Sequence, residues 1–452
     1  MSELKILGRH TSTVLVGQLA IMAFGVADTV IAGRHSDAAL AALSVGSAIY
    51  ISVYVALIGI IQALLPIWAE MRGARREHEL GASLRQSLYL CAVITVAGMA
   101  LLLSPGALLD WAQVPAAMLD EVEQYLAVLA LAFPAALLFR VYSTLNQALG
   151  RPLLVTWLQL LALAVKVPLS VWLVGGGAGM PALGAAGCAW ATLVVNFLLL
   201  GMAVLLLRTS TLYLPLGLWA RMEAPDWRRI GEFLRLGLPG GLSYMVEVTS
   251  FTLMAVFIAR MGVTAAASHQ IAASMSAVLY MVPLSLSIAA SARVSYWIGR
   301  GEPAQARHLV LLGMGLAGAC ALGLAALVAV LHSVIASAYS NNPEVVAVAS
   351  MLLLWVSLYH VADAIQALCA FLLRCYRISL LPLAIYSVVL WGMGLAGGYW
   401  LAYIGGDVGR WHLPAMGSAA SFWMAATLAL ALVALCFMAL LWRAVRLSLK
   451  PT

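Results

Sequence analysis

Charge is scarce in this chain: Asp, Glu, Lys and Arg make up 10% of its 452 residues, against about a quarter in an ordinary soluble domain. Lysine is nearly absent, standing only at Lys5, Lys166 and Lys450, and none of the three follows a glycine. A Walker loop is therefore excluded, and with it ATP hydrolysis as the driving reaction. No GxSxG elbow is present, and His78-Glu79 opens like a zinc-protease motif but meets Ala82 where a second histidine is required. The six cysteines, Cys91, Cys188, Cys320, Cys369, Cys375 and Cys436, show no CxxC spacing and all fall in apolar stretches. They read as small packing residues rather than a metal or disulfide framework. These absences remove the common hydrolytic enzymes, and no cofactor is expected.

What is present instead is apolar side chain, at 64% of the residues. One soluble core has no room for so much, so lipid is the expected solvent. A membrane-spanning helix needs about 20 mostly apolar residues, because each rises about 1.5 Å through about 30 Å of hydrocarbon. That ruler finds twelve segments: 12–33, 43–69, 84–109, 124–148, 153–175, 183–208, 232–259, 269–298, 307–336, 344–373, 378–404 and 414–442. The runs are continuous rather than alternating, which favours helices over a β-barrel. Lys5, Arg9 and His10 precede the first run, which reads as a retained span rather than a cleavable signal. With the N-terminus placed in the cytoplasm, 21 basic residues fall on the cytoplasmic side or its membrane edge, against 3 (Arg34, Arg260 and Arg410) opposite. The positive-inside rule then predicts an inner-membrane protein with both termini cytoplasmic. The net charge of +7 is explained by topology, with no need of a nucleic acid.

The longest polar interval, 209–231, holds Pro215, Pro225 and Asp226-Trp227-Arg228-Arg229. It predicts an N-terminal six-helix bundle over 1–208, a cytoplasmic linker over 209–231 and a C-terminal six-helix bundle over 232–452. The halves resemble each other at an offset of about 229 residues, a spacing that points to internal duplication. Gly33 matches Gly262, Trp68 matches Trp297, and Met180-Pro181-Ala182-Leu183-Gly184 matches Leu413-Pro414-Ala415-Met416-Gly417.

Three carboxylates lie deep inside spans: Asp28 in the first, Glu247 in the seventh and Asp363 in the tenth. Such groups are costly in lipid unless they face a polar cavity, bind a cation or bind a proton. Hard cations such as Na+ take oxygen ligands, and hydrogen bonding between helices is the structural alternative. Lys166 is the one lysine inside a span. Asp28 lies about 16 residues into the first span and Lys166 about 14 into the fifth, so their depths differ by only about 3 Å and the two can pair. Gln270 and Ser274 share a helical face beside His269, which suits either helix packing or ligand contact.

Phe24-Gly25-Val26-Ala27-Asp28-Thr29-Val30-Ile31-Ala32-Gly33, followed by Leu40-Ala41-Ala42-Leu43, resembles the opening signature of the MATE (multidrug and toxic compound extrusion) transporters. Gly237-Leu238-Pro239-Gly240-Gly241-Leu242-Ser243 with Glu247, and Ala362-Asp363, are similar to the NorM-type branch. The resemblance implies an all-α integral membrane protein whose twelve helices form two pseudo-symmetric bundles, set as a V around a central cavity. It also implies antiport, with Na+ or H+ exchanged for organic, often aromatic, cations. Asp28, Glu247 and Asp363 are then the expected cation-coupling residues, with Na+ at Glu247 and Asp363. Phe251, Gln270, Ser274 and Lys166 are the expected cavity residues. The implied partners are small-molecule drugs, a coupling cation and membrane lipid, and the implied functional unit is a monomer. Tyr339-Ser340-Asn341-Asn342-Pro343 departs from the family by carrying amides where an aspartate can stand. A lipid-linked oligosaccharide flippase of the same superfamily is the alternative. Such flippases need a cationic cavity, whereas carboxylates dominate the intramembrane charge here.

Overall fold

The computed structural model describes residues 2–106, 109, 115–177, 179, 181–408, 411–413 and 415–449. Met180, Arg410, Pro414 and Lys450, used in the sequence reading, lie outside them. The described chain is almost wholly helical: α1 Glu3–His35, α2 Asp37–Gln62, α3 Leu64–Gly73, α4 Glu77–Leu103, α5 Ala116–Ala148, α6 Pro152–Gly175 and α7 Ala185–Thr209, then a 3-10 helix over Thr211–Leu216. There follow α8 Trp227–Ala259, α9 Val263–Gly299, α10 Pro303–Tyr339, α11 Pro343–Cys375, α12 Leu380–Ile404 and α13 Ala419–Ser448. Among the described residues, twelve helical stretches are long and apolar enough to cross a membrane, with α2 and α3 counted as one. The twelve expected segments each overlap one of them.

Three local departures have physical causes. The second span breaks at Ala63 because Pro66, four residues after Gln62, has no N–H to give its carbonyl. In α12 the backbone widens to π-helix over Val389–Ala396 and Trp400–Ile404. Gly392, Gly394, Gly397 and Gly398 crowd that stretch and leave the backbone the freedom to do so. A short antiparallel pair, β1 Gly406–Val408 with β2 Trp411–Leu413, sits where the sequence reading has no element. Asn342, one of the loop amides, is the N-cap of α11 and accepts from the Glu344 N–H at 2.9 Å. Cys320 is exposed, unlike the buried Cys91, Cys188, Cys369 and Cys375, so the packing role does not extend to it.

The chain forms two units, Ser12–Gly241 and Leu242–Thr452 with Met1–Thr11, and the boundaries fall inside α1 and α8. In Ser12–Gly241, α5 is the central helix, packed by α2, α4, α6 and α7. In the other unit α11 holds the same place, packed by α9, α10 and α13. Each is the fourth span of its half, a correspondence that fits the internal repeat. The first turns of α1 belong to the second unit: Leu7 is fully buried in its core, and Glu3 pairs with Arg293 through two hydrogen bonds.

Candidate functional site

In Ser12–Gly241 the buried charges meet. Lys166 Nζ lies 2.7 Å from Asp28 Oδ2, joining α6 to α1. Lys166 also donates to Thr192 Oγ1 on α7 at 2.7 Å, and Ser170, one turn after it, donates to Asp28 Oδ1 at 3.2 Å. The ammonium stands 5.5 Å from the centre of the Phe24 ring. Asp28 and Lys166 are 7% and 2% exposed. Both carboxylate oxygens thus have donors, and the ammonium has an anion, a hydroxyl and an aromatic face. This is the arrangement that makes a buried pair tolerable, since neither charge is left without compensation. Lys166 was anticipated from depth. Thr192 and Ser170 were not, although Ser170 sits at the i+4 position that shares the lysine's face.

The second unit is built differently. Glu247 on α8 is half-buried, and Asp363 on α11 is 3% exposed. They are close enough to repel one another, and the Tyr386 hydroxyl on α12 is within hydrogen-bonding reach of Glu247. Neither has an ion-pair partner among the described residues, and Asp363 Oδ1 is buried without a hydrogen-bond partner there. Arg374, the basic residue of α11 next in line, lies about 16 Å away along the axis and stacks on Phe371 and Tyr244 instead.

Aromatic rings flank the acids. Phe251, one turn after Glu247, packs edge-on against Tyr359, one turn before Asp363, at 6.0 Å between centroids. Trp423 on α13 closes the cluster at 6.1 Å from Phe251 and 5.6 Å from Tyr359. His269 faces Trp423 at 5.8 Å, and His269 Nδ1, His360 Nε2 and Trp423 Nε1 are further buried atoms without a partner among the described residues. Of the expected cavity residues, Phe251 joins this cluster. Gln270 is exposed and Ser274 half-buried on α9, and no hydrogen bond ties either to the acids. Tyr359 was detectable as the residue four before Asp363. Tyr386 carries no local signal, because only the packing of α12 brings it near Glu247.

Among the described residues no three His, Cys, Asp or Glu side chains group as a metal cage would require. An ion held by Glu247 and Asp363 would draw its remaining oxygens from neutral groups such as the Tyr386 hydroxyl. Two like-charged acids in an aromatic, membrane-embedded setting favour a bound cation or a shared proton over two free charges.

Comparison with known proteins places the chain among transporters. The MatE family model matches residues 14–172 and 239–400. The protein named "Probable multidrug resistance protein NorM" from Aromatoleum aromaticum is 39% identical over 443 residues, covering 96% of this chain and 94% of the relative. "Multidrug resistance protein PmpM" of Pseudomonas aeruginosa is 33% identical over 428 residues, covering 91% and 88%. The fold matches the eukaryotic MATE transporter AtDTX14 with a TM-score of 0.84 at 20% identity, covering 98% of this chain and 97% of that one. It matches the Vibrio cholerae MATE transporter VcmN in the bent form at 0.85 and 16%, with the same coverage.

Proposed function

The chain belongs to the MatE family, and from that premise we propose that it is a secondary active multidrug efflux antiporter, exchanging Na+ or H+ for organic, often aromatic, cations across the inner membrane. The observation that carries this reading is the pair of membrane-embedded acids, Glu247 and Asp363, with no cationic partner among the described residues. A coupling cation or proton supplies the missing positive charge, and releasing it restores the cost of two like charges in one membrane-embedded site. Antiport needs that alternation. The names of the relatives favour drug export over the flippase alternative, as does the excess of acids over bases deep in the spans.

In this reading Asp28 has a second role. Lys166 neutralises it in the arrangement described, and in another conformation yields it to a proton or a cationic drug. Phe251 supplies an aromatic face for a drug cation, while Gln270 and Ser274 supply polar contacts on α9. Bundles over 1–208 and 232–452 flank the 209–231 linker, both termini are cytoplasmic, and the monomer is the working unit. Reporter fusions after residues 225 and 303 should then read cytoplasmic, and a fusion after 341 should read the opposite side. The deciding experiment is ethidium efflux in inverted membrane vesicles, with Na+ and pH varied independently. Efflux indifferent to both gradients would overturn the antiporter reading.

A further inference from the structure

The segment between α7 and α8 joins two span ends, Thr209 and Trp227, which lie on the same side of the spans. It is also fastened to the bundle on its inner face. Tyr213 and Leu216, three residues apart on a helix of about three residues per turn, are each 2% exposed. Tyr213 donates to Asn146 Oδ1 at 2.7 Å, and the Leu216 carbonyl sits where a side chain at Gly81 would stand. Farther along, Arg85 donates to the Gly217 carbonyl at 2.7 Å and clasps Glu223 with two N–H groups. Gln86 takes the Ala224 carbonyl and the Asp226 N–H at 2.9 and 2.8 Å.

The outer face of the same segment has the opposite character. Leu214, Trp219, Met222 and Trp227 are 71%, 56%, 45% and 77% exposed. Exposed leucines within the spans face lipid tails, but Leu214, Trp219 and Met222 lie outside every span. Arginines stand among them. Arg208 covers the Trp219 ring at 4.6 Å, and the Arg228 side chain is 92% exposed. From Arg208 to Arg235 there are five arginines against three acids. Glu223 is taken by Arg85, while Arg229 and Arg228 reach Asp226 and Glu232 only at 3.8 and 3.9 Å, so the segment keeps a net positive charge. Exposed tryptophans beside net positive charge suit the headgroup layer of a bilayer, where the ring enters the acyl boundary and the guanidinium meets phosphate.

We propose that Arg208–Arg229 is an interfacial anchor of the same membrane: Leu214, Trp219, Met222 and Trp227 enter the headgroup boundary, and Arg208, Arg221 and Arg228 hold anionic phospholipid headgroups. The rigid fastening to α4 gives this surface a fixed depth rather than that of a loose tether. The proposal is independent of which ion or drug the protein moves.

Its test uses the full chain in phosphatidylcholine vesicles, with and without phosphatidylglycerol. A spin label at Leu214→Cys, in a Cys320→Ala/Cys436→Ala background whose remaining cysteines are buried, reports depth from its accessibility to oxygen and to a water-soluble nickel chelate. We expect the label to lie at the headgroup boundary, out of reach of the chelate. In detergent, phosphatidylglycerol should bind more tightly than phosphatidylcholine, and Arg221→Gln and Arg228→Gln should each weaken that binding roughly fivefold. A water-accessible label in both vesicle types overturns the proposal and marks the surface as free for a cytosolic protein. An inserted label with unchanged lipid preference in both arginine variants overturns the assignment of anionic headgroups.

Discussion

Asp28 meets an ammonium at 2.7 Å and a serine hydroxyl on its other oxygen, whereas Asp363 Oδ1 has no partner among the described residues and another acid, Glu247, is its charged neighbour. The two sites lie in units whose central helices correspond, α5 in one and α11 in the other, yet the balance of charge differs. Ser12–Gly241 brings its own cation on Lys166. The Leu242–Thr452 site brings tyrosines, a tryptophan and two acids, and among the described residues no cation to balance either of them. The difference teaches where an external cation is needed: at the site whose own side chains leave negative charge uncompensated in a dielectric that penalises it.

The comparison breaks most visibly on the acids themselves. Glu247→Gln and Asp363→Asn keep the shape and remove the charge, so each should abolish cation-driven ethidium efflux at unchanged expression. Wild-type efflux in both variants would end the assignment. Next in size is Lys166→Met, which leaves Asp28 as a buried anion without its cation. A loss of about 3–5 kcal/mol is expected for breaking such a pair, read as earlier thermal denaturation of the purified protein. The double change Asp28→Asn/Lys166→Met should recover most of it, because a neutral amide, still within reach of Ser170, and a thioether cost far less to bury than an unpaired carboxylate. Because Lys166 also yields Asp28 to a proton or drug in the proposed cycle, Lys166→Met should change the pH dependence of drug binding as well. A lowered melting curve with that pH dependence unchanged would mark the lysine as a permanent brace and end its role as an exchanged counterion.

A smaller effect is expected outside the spans. Arg85 holds the Glu223 carboxyl below its ordinary value of 4.5, chiefly through their hydrogen bonds. Because the folded value is lowered, the stabilisation is fully present above that ordinary value and is lost as pH falls through the lowered one. Glu223 is half exposed, so solvent screens most of the gain. Acid denaturation followed by circular dichroism should therefore shift only slightly in Glu223→Gln, with the variant less sensitive below the glutamate range.

Much of this was legible before the fold was known. Span positions follow from apolar run length alone, since lipid leaves the backbone only one option. The Asp28–Lys166 pair follows from depth, because two charges at one level of a bilayer have few other partners. The missing parts depend on packing. Nothing in the apolar α12 says that its glycines open π turns or that Tyr386 reaches Glu247. Spacing puts Gln270 and Ser274 on one face beside His269, but does not tell that His269 is buried against Trp423 while Gln270 is exposed. Helical spacing groups residues along one helix and says little about which neighbour covers them.

The contrast between the two sites is tested most directly by binding of the coupling cation to purified protein without drug, as Na+ uptake by calorimetry and proton release by a pH indicator. The account predicts that Asp28→Asn/Lys166→Met still binds the cation as the parent does, and that Asp363→Asn does not. Binding lost in the double variant and kept in Asp363→Asn would place the main cation site in Ser12–Gly241 and contradict it.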